Sequence, residues 1–178
     1  MIRCYVTDRR SGDLLAHAAR AIAARVDMIQ IREKDLETKD LIDLVCSIRD
    51  LAAGTSTKIL VNDRLDVALA TGINGVHLPA NGLPATMVRP HTKLLGVSTH
   101  TLTEAVQAEW DRSDYIVFGP VFDTPGKNAV GLEALRKVVR SVKIPVLAIG
   151  GITPERIPEI THTGAAGFAA IRMFQTSW

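Results

Sequence analysis

The sequence of 178 residues has few of the features that mark secreted, membrane-spanning or nucleic-acid-binding proteins. Its two cysteines, Cys4 and Cys46, lie far apart and outside any CxxC motif, which is typical of a reduced cytosolic chain. No apolar run approaches the roughly 18 residues of a membrane span, and the start shows no secretory pattern. The 21 Lys and Arg nearly balance the 19 Asp and Glu and are scattered along the chain, which argues against a nucleic-acid partner. We therefore expect a cytoplasmic globular protein with one domain over residues 1–178.

Short runs rich in Val, Ile and Leu recur along the chain, separated by stretches with helical spacing. The runs are mostly continuous rather than alternating, as in parallel strands that are covered on both faces. The predicted strands are 2–7, 28–32, 58–62, 75–78, 93–98, 115–118, 145–149 and 167–173. This alternation predicts an α/β fold, and the absence of GxGxxG after the first strand favours a (β/α)₈ TIM barrel over a doubly wound sheet.

The chain is short for such a barrel and stops soon after the eighth predicted strand. We therefore expect a compact TIM barrel that lacks the final helix. Phe174 and Trp178 are then expected to cover an exposed edge through self-association, which predicts a homodimer.

Polar side chains follow the predicted strands, at the end where barrels carry their chemistry. Gln30 and Arg32 share one face of the second strand, and Lys34 lies just above them. Two cations and an amide aimed into a barrel mouth are costly unless an anion meets them, which predicts a site for a phosphorylated small molecule. The alternative is a structural network in which Arg32 and Lys34 pair with Asp8 or Asp63.

Asn62 and Asp63 directly follow the third predicted strand. A carboxylate beside an amide and close to cations suits a Mg²⁺ ion that bridges to a phosphate, so Asp63 is the predicted metal ligand. The alternative is that Asp63 caps the helix that starts near Arg64.

Two further segments at strand ends suit phosphate. Gly150 and Gly151 follow the seventh strand and open a helix, where backbone N–H groups receive an anion; a simple tight turn is the alternative. The loop 119–127 after the sixth strand carries Thr124 and ends at Lys127. It is expected either to close over a substrate and bring Lys127 to a phosphate, or to be a mobile surface loop.

His77 and His100 lie at strand ends and are candidates for a general acid or base. No Ser or Cys nucleophile spacing and no metal-type pair of histidines accompanies them. We therefore expect structural hydrogen bonding at both positions.

Taken in order, these motifs resemble those of the thiamine phosphate synthase and thiazole tautomerase superfamily. The resemblance covers nearly the whole chain, and the motifs together are far more specific than any one of them. They are IQIREK (29–34), VND (61–63), GVHL (75–78), GVSTHT (96–101), GPVFDT (119–124), AIGGIT (148–153) and TGAAG (163–167).

The resemblance implies a reaction and a set of site residues. Thiamine phosphate synthases join hydroxymethylpyrimidine diphosphate to thiazole phosphate; pyrophosphate leaves first, and the thiazole nitrogen attacks the pyrimidine carbocation. Such a reaction depends on cations and Mg²⁺ at the leaving group more than on acid–base chemistry. The positions carried over are Gln30, Arg32, Lys34, Asn62 and Lys127 for the diphosphate, Asp63 for Mg²⁺, Ser98 and Thr124 for phosphate or pyrimidine, and Gly150 and Gly151 for the thiazole phosphate.

Three positions depart from the synthase pattern. Gly82 stands where the synthase carries a second Mg²⁺-binding Asp, and Gly126 stands where it carries a second hydroxyl. Arg172 replaces a small residue, usually Ser, that meets phosphate after the eighth strand. Loss of a carboxylate weakens Mg²⁺ affinity, whereas Arg172 either binds phosphate itself or fills the pocket.

The tautomerase branch resembles this chain more closely after His77. However, that branch carries a His where this chain has Pro120, and it tends to lose the pair Asn62 and Asp63. We therefore predict a Mg²⁺-dependent transferase, a thiamine phosphate synthase whose partners are phosphorylated pyrimidine and thiazole substrates. The alternatives are an isomerase like thiazole tautomerase, with His77 or His100 as proton shuttle, and a non-catalytic binder of thiamine intermediates.

Overall fold

The computed structural model describes residues 1–175, and its eight strands close into one parallel barrel. Each strand pairs with the next along the chain, and the eighth pairs with the first. The predicted (β/α)₈ barrel is therefore confirmed. The strands are β1 (Ile2–Val6), β2 (Met28–Ile31), β3 (Lys58–Asn62), β4 (Gly75–Leu78), β5 (Leu94–Thr99), β6 (Tyr115–Phe118), β7 (Val146–Ile149) and β8 (Gly167–Ala170).

Within residues 1–175, seven α-helices follow strands β1 to β7. They are α1 (Leu14–Ala23), α2 (Thr38–Leu51), α3 (Leu65–Thr71), α4 (Ala85–Val88), α5 (Leu102–Trp110), α6 (Gly131–Ser141) and α7 (Ile157–His162). Thr101 caps the N-terminus of α5, because its Oγ1 accepts a hydrogen bond from the Glu104 N–H at 3.2 Å. Across the described part of the chain, every helix is too short or too polar to cross a membrane.

Two hydrophobic cores follow from the alternation of side chains along each strand. One core lies between the strands and the helices; there Ile29 of β2 packs in the same cluster as Val45 and Ile48 of α2. The other fills the barrel interior and contains Cys4, Val6, Met28, Leu60, Tyr115, Val117, Leu147 and Ala169. Cys4 and Cys46 are both free thiols, and burial raises the pKa of Cys4 to about 12. The cysteines therefore have packing roles rather than forming a disulfide.

The eighth strand is shorter than predicted. It ends at Ala170, and the backbone turns at Ile171 (φ −100°, ψ −74°) into a 3₁₀ turn over Arg172–Phe174. Phe174 is only 3% exposed, with its ring centroid 5.6 Å from that of Tyr5 on β1 and 6.2 Å from that of Phe168 on β8. The expectation that Phe174 covers an edge through self-association is therefore wrong, because the ring packs inside its own chain.

The end of the described chain is also tied down by hydrogen bonding. The Gln175 Nε2 donates to the carbonyl oxygen of Asp8 at 2.9 Å, which joins the segment after β8 to the loop after β1. Trp178 lies outside the described residues, so the homodimer stays a prediction.

Phe174→Ala should lower the free energy of unfolding by about 3 to 5 kcal/mol, because it empties a slot lined by two aromatic rings. The measurement is urea unfolding followed by circular dichroism. Leu69→Ala is the matched control, since Leu69 is 59% exposed and its truncation should cost less than about 0.5 kcal/mol. Equal small losses in both variants would show that the barrel does not need the Phe174 ring.

Candidate active site at the barrel mouth

The carboxyl ends of β2 and β3 bring the first predicted ligands together. Gln30 Nε2 donates to Asn62 Oδ1 at 3.0 Å, and both side chains are buried. The register explains this contact, because Gln30 lies beside Leu60 and Asn62 stands two residues further along β3. Since Asn62 accepts through its oxygen, its amide nitrogen is left to donate to a ligand.

Arg32 and Lys34 follow β2 with exposed side chains. Among the ion pairs of residues 1–175, neither is joined to a carboxylate, and Asp8 pairs with Arg10 instead. The alternative of a structural network between these cations and Asp8 or Asp63 is therefore wrong. Their positive charge is left for a ligand.

Glu33 lies between these two cations in sequence but is turned away from them. It is 6% exposed, and its carboxylate accepts the Thr7 hydroxyl at 2.5 Å and the Arg9 N–H at 3.2 Å. The Thr7 oxygen in turn accepts the N–H of Arg32 at 2.9 Å. Glu33 therefore holds the backbone that carries Arg32, a positioning role that the sequence analysis missed. The available signal is the alternation along 30–34, which places Glu33 on the face opposite to Arg32 and Lys34.

Asp63 directly follows β3 in a left-handed backbone conformation (φ +63°), and its side chain is exposed. Its N–H donates to the carbonyl of His77 at 2.9 Å, which fixes this conformation at the rim. The alternative that Asp63 caps α3 is wrong, since the cap residue is Arg64 and no side chain caps that helix.

Gly82 faces the carboxylate of Asp63. A Cβ atom at Gly82 would lie 2.9 Å from Asp63 Oδ1 and 2.8 Å from Pro79 Cδ. Position 82 carries a second carboxylate in the synthase pattern, and it adjoins Asp63 in space. In this chain the space beside Gly82 is occupied by Pro79 and Asp63. No group of three or more His, Cys, Asp or Glu within the described residues is arranged to hold a metal alone.

The loop after β6 is locally ordered around a turn. Thr124 and Lys127 exchange two backbone hydrogen bonds, of 2.9 and 3.2 Å, and Gly126 supplies the positive φ (+77°) that the turn needs. Asp123 Oδ1 accepts the N–H of Ala129 at 2.8 Å across the base of this turn. Gly126 is therefore a backbone requirement, and the Lys127 side chain is exposed at the tip.

The turn after β7 packs against the same loop. Gly150 has a φ of +96°, and a Cβ atom there would lie 2.4 Å from Pro120 Cβ. Gly151 has a φ of +64°, with Phe122 and Arg156 beside the position of a Cβ. The two glycines therefore allow close approach of the loop, and phosphate binding by their N–H groups stays a prediction.

Arg156 is a cation at the mouth that the sequence analysis missed. Its guanidinium donates to the Gly151 carbonyl at 2.7 Å and lies 4.4 Å from the centroid of the Phe122 ring. It thereby links the turn after β7 to the loop after β6 and presents further N–H donors beside Gly151. The signal in the sequence is a basic residue five positions after Gly151, in the short helix that follows the paired glycines. Arg172, in the 3₁₀ turn after β8, is exposed, so it does not plug the barrel.

The two candidate histidines serve as hydrogen-bonding groups. His77 is buried in the barrel between Tyr115 Oη, 3.0 Å from Nδ1, and Ser98 Oγ, 2.8 Å from Nε2. Burial, and secondarily the charge of Arg32, lowers the pKa of His77 to about 3, so the ring is neutral. His100 Nδ1 bonds the carbonyl of Gly119. The expected structural hydrogen bonding is confirmed at both positions.

Comparisons with known proteins agree with this arrangement. The model of the family described as "Thiamine monophosphate synthase" matches residues 4–174. The putative thiamine-phosphate synthase of Geobacter sulfurreducens is 42% identical over 176 residues, covering 93% of this chain and 83% of that protein. The thiamine-phosphate synthase of Methanocella arvoryzae has the same identity and coverage.

Solved structures give the same result. The thiamine phosphate pyrophosphorylase from Pyrococcus furiosus superposes with a TM-score of 0.92 at 34% identity, covering 99% of this chain and 88% of that one. An identity of this size, together with a family match over almost every strand of the barrel, goes beyond a shared fold. The chain belongs to the thiamine monophosphate synthase family.

Proposed function

We propose that this chain is a thiamine-phosphate synthase that joins hydroxymethylpyrimidine diphosphate to thiazole phosphate and releases pyrophosphate. The observation that carries the proposal is the positive charge of Arg32 and Lys34, which form no ion pair within residues 1–175 and follow β2 directly after the buried amide of Gln30; the loop after β6 adds the exposed Lys127. Family membership supports a transferase of this type.

The proposed mechanism rests on the charge of the leaving group. When the bond between carbon and diphosphate breaks, negative charge collects on the diphosphate oxygens, and fixed cations lower the barrier because they are already in place. The backbone of Arg32 is held by the hydrogen bond from its N–H to Thr7, which fixes the point from which its side chain extends. In this mechanism Gln30 and Asn62 orient the diphosphate, and Thr124 lies on the loop that carries Lys127.

Mg²⁺ fits this site as an ion shared between the protein and the substrate. Asp63 supplies one exposed carboxylate, and Gly82 beside it supplies none. Mg²⁺ is commonly held by one or two carboxylates together with substrate phosphates, so a single ligand at Asp63 is compatible with it. When bound, the ion would neutralise charge on the diphosphate.

The thiazole phosphate is proposed to bind on the opposite side of the mouth, at Gly150 and Gly151. The backbone N–H groups of this turn and the guanidinium of Arg156 lie close together there. A phosphate held at this point would contact two donor types at once, backbone amides and a cation. Arg172, exposed after β8, is proposed as a second cation for the same phosphate.

Removing the positive charge of Arg32 or of Lys127 should slow the reaction. Arg32→Ala and Lys127→Ala should each reduce kcat/KM by about tenfold or more, because a cation on the leaving phosphate is lost. The measurement is formation of thiamine phosphate and pyrophosphate from the two substrates with Mg²⁺. Arg136→Ala is the control, because Arg136 pairs with Glu133 on α6 and should leave kcat/KM unchanged. Wild-type rates in the first two variants would remove these residues from the mechanism.

The same assay separates the alternatives. Consumption of a thiazole isomer without release of pyrophosphate would indicate a tautomerase. Protection against melting by both substrates without any product would indicate a non-catalytic binder. A tautomerase with His77 as the proton shuttle is disfavoured, since both ring nitrogens of His77 already have protein partners.

Asp63→Asn should raise the Mg²⁺ concentration needed for half-maximal activity by about tenfold or more, since it removes the only carboxylate proposed to hold the ion. The measurement is a Mg²⁺ titration of initial rates at saturating substrates. Asp66→Asn is the matched control, because Asp66 pairs with Arg64 and lies one turn further along the chain. If the two variants show the same Mg²⁺ dependence, Asp63 is not a ligand.

Arg156→Ala should raise the KM for thiazole phosphate by about tenfold, with a smaller effect on the KM for the pyrimidine diphosphate. Arg156→Lys should recover part of this loss, because it keeps the charge but not the planar fork. Steady-state kinetics with each substrate varied in turn provide the measurement. An equal rise in both KM values would instead indicate that Arg156 acts only by holding the loop through Phe122.

A further inference from the structure

Three strands place a chain of hydrogen-bonded side chains inside the barrel. His77 of β4, Gly96 of β5 and Tyr115 of β6 lie in register with one another across the sheet. Because Gly96 has no side chain, the Tyr115 ring reaches across β5 to His77; a Cβ atom at Gly96 would lie 2.2 Å from Tyr115 Cζ. Ser98 stands two residues further along β5, nearer the mouth, and completes the chain.

The direction of the hydrogen bonds in this chain follows from the Tyr115 hydroxyl. In the hydrogen bonds of residues 1–175, Tyr115 Oη has one partner, His77 Nδ1. If Nδ1 carried the proton, it would donate to Oη, and the buried Tyr115 hydroxyl hydrogen would have no acceptor. Leaving a buried donor unpaired is unfavourable, so Tyr115 donates and Nδ1 accepts.

The tautomer of His77 then fixes the role of Ser98. A neutral imidazole has one N–H, and with Nδ1 accepting, that N–H is at Nε2. Nε2 therefore donates to Ser98 Oγ, and the hydrogen of the Ser98 hydroxyl has no acceptor among residues 1–175. Burial keeps the ring neutral, consistent with the lowered pKa of His77.

Ser98 is partly exposed and stands on β5 nearer the mouth than His77, which is 1% exposed. We propose that Tyr115 and His77 are positioning residues: they hold Ser98, which the family resemblance assigns to phosphate or pyrimidine, as a hydrogen-bond donor toward a substrate atom with a lone pair. Such an atom is either a diphosphate oxygen or a pyrimidine ring nitrogen; this identification alone rests on the function proposed above.

The tautomer is tested first, on the wild-type protein without substrate. Long-range ¹H–¹⁵N correlation spectra of the ¹⁵N-histidine-labelled protein at neutral pH should show His77 protonated on Nε2 only. The His77→Gln variant assigns the signal among the five histidines. Protonation on Nδ1, or on both nitrogens, would overturn the inference. This result does not depend on catalysis, so it stands apart from any failure of the proposed function.

A double-mutant cycle then tests the link to the substrate. Tyr115→Phe and Ser98→Ala should each reduce kcat/KM by about tenfold, and the double variant should fall no further than Ser98→Ala alone, because both changes remove the same donor. Tyr5→Phe is the control, since Tyr5 is the other tyrosine and packs against Phe174 outside the barrel. Losses that multiply in the double variant would show that Tyr115 does not act through Ser98.

Inhibition by inorganic pyrophosphate identifies the acceptor. If Ser98 donates to a diphosphate oxygen, Ser98→Ala should raise the inhibition constant of pyrophosphate about tenfold. If it donates to the ring nitrogen, that constant should stay the same while the KM for the pyrimidine diphosphate rises. If neither value changes, Ser98 donates to no substrate atom and the proposal is wrong.

Discussion

Pairing of β8 with β1 is the constraint on which the site depends. Four consecutive residues of β8, Gly167 to Ala170, pair with Ile2 to Tyr5 of β1, and this closes the ring. Closure places the carboxyl ends of all eight strands on one rim, so residues as distant in sequence as Gln30 and Gly150 belong to one mouth. Phe174 supports this seam, because its ring packs on Tyr5 and Phe168, one from each of the two strands.

At that rim, the arrangement of charge matters more than its amount. The segment 32–34 carries a carboxylate between two cations, yet Glu33 is buried on the far side, where Thr7 and the Arg9 N–H satisfy it. If Glu33 pointed into the mouth, it would neutralise Arg32 or Lys34 and compete with an anionic ligand. The alternation of side chains therefore separates opposite charges that adjoin in sequence, and the loop after β6 carries the exposed Lys127.

The features that depend on a local sequence pattern, the strands above all, could be predicted from the sequence. Three strands, Lys58–Asn62, Gly75–Leu78 and Tyr115–Phe118, have their predicted bounds, because each is a continuous apolar run between clear breaks. Glu33, Tyr115 and Arg156 were missed, since their roles come from contacts between elements. The backbone turn at Ile171 was missed as well, because the apolar residues after β8 continue the strand pattern while packing against Tyr5 favours a 3₁₀ turn. Contacts between elements that are distant in sequence cannot be predicted from a local sequence pattern.

Glycine positions decide which polar groups meet at this site. The absence of a side chain at Gly96 lets the Tyr115 hydroxyl reach His77, and at Gly150 it lets Pro120 approach the turn after β7. Gly82 differs, because the volume of a side chain there is already taken by Pro79 and by the carboxylate of Asp63. The N–H of Gly82 also donates to the Pro79 carbonyl at 3.0 Å, so residues 79–82 form one compact turn. A second carboxylate could enter at 82 only if the Pro79 ring moved. The departure from the synthase pattern is therefore a property of the whole turn, since both the Pro79 ring and the carboxylate of Asp63 occupy the space beside Gly82.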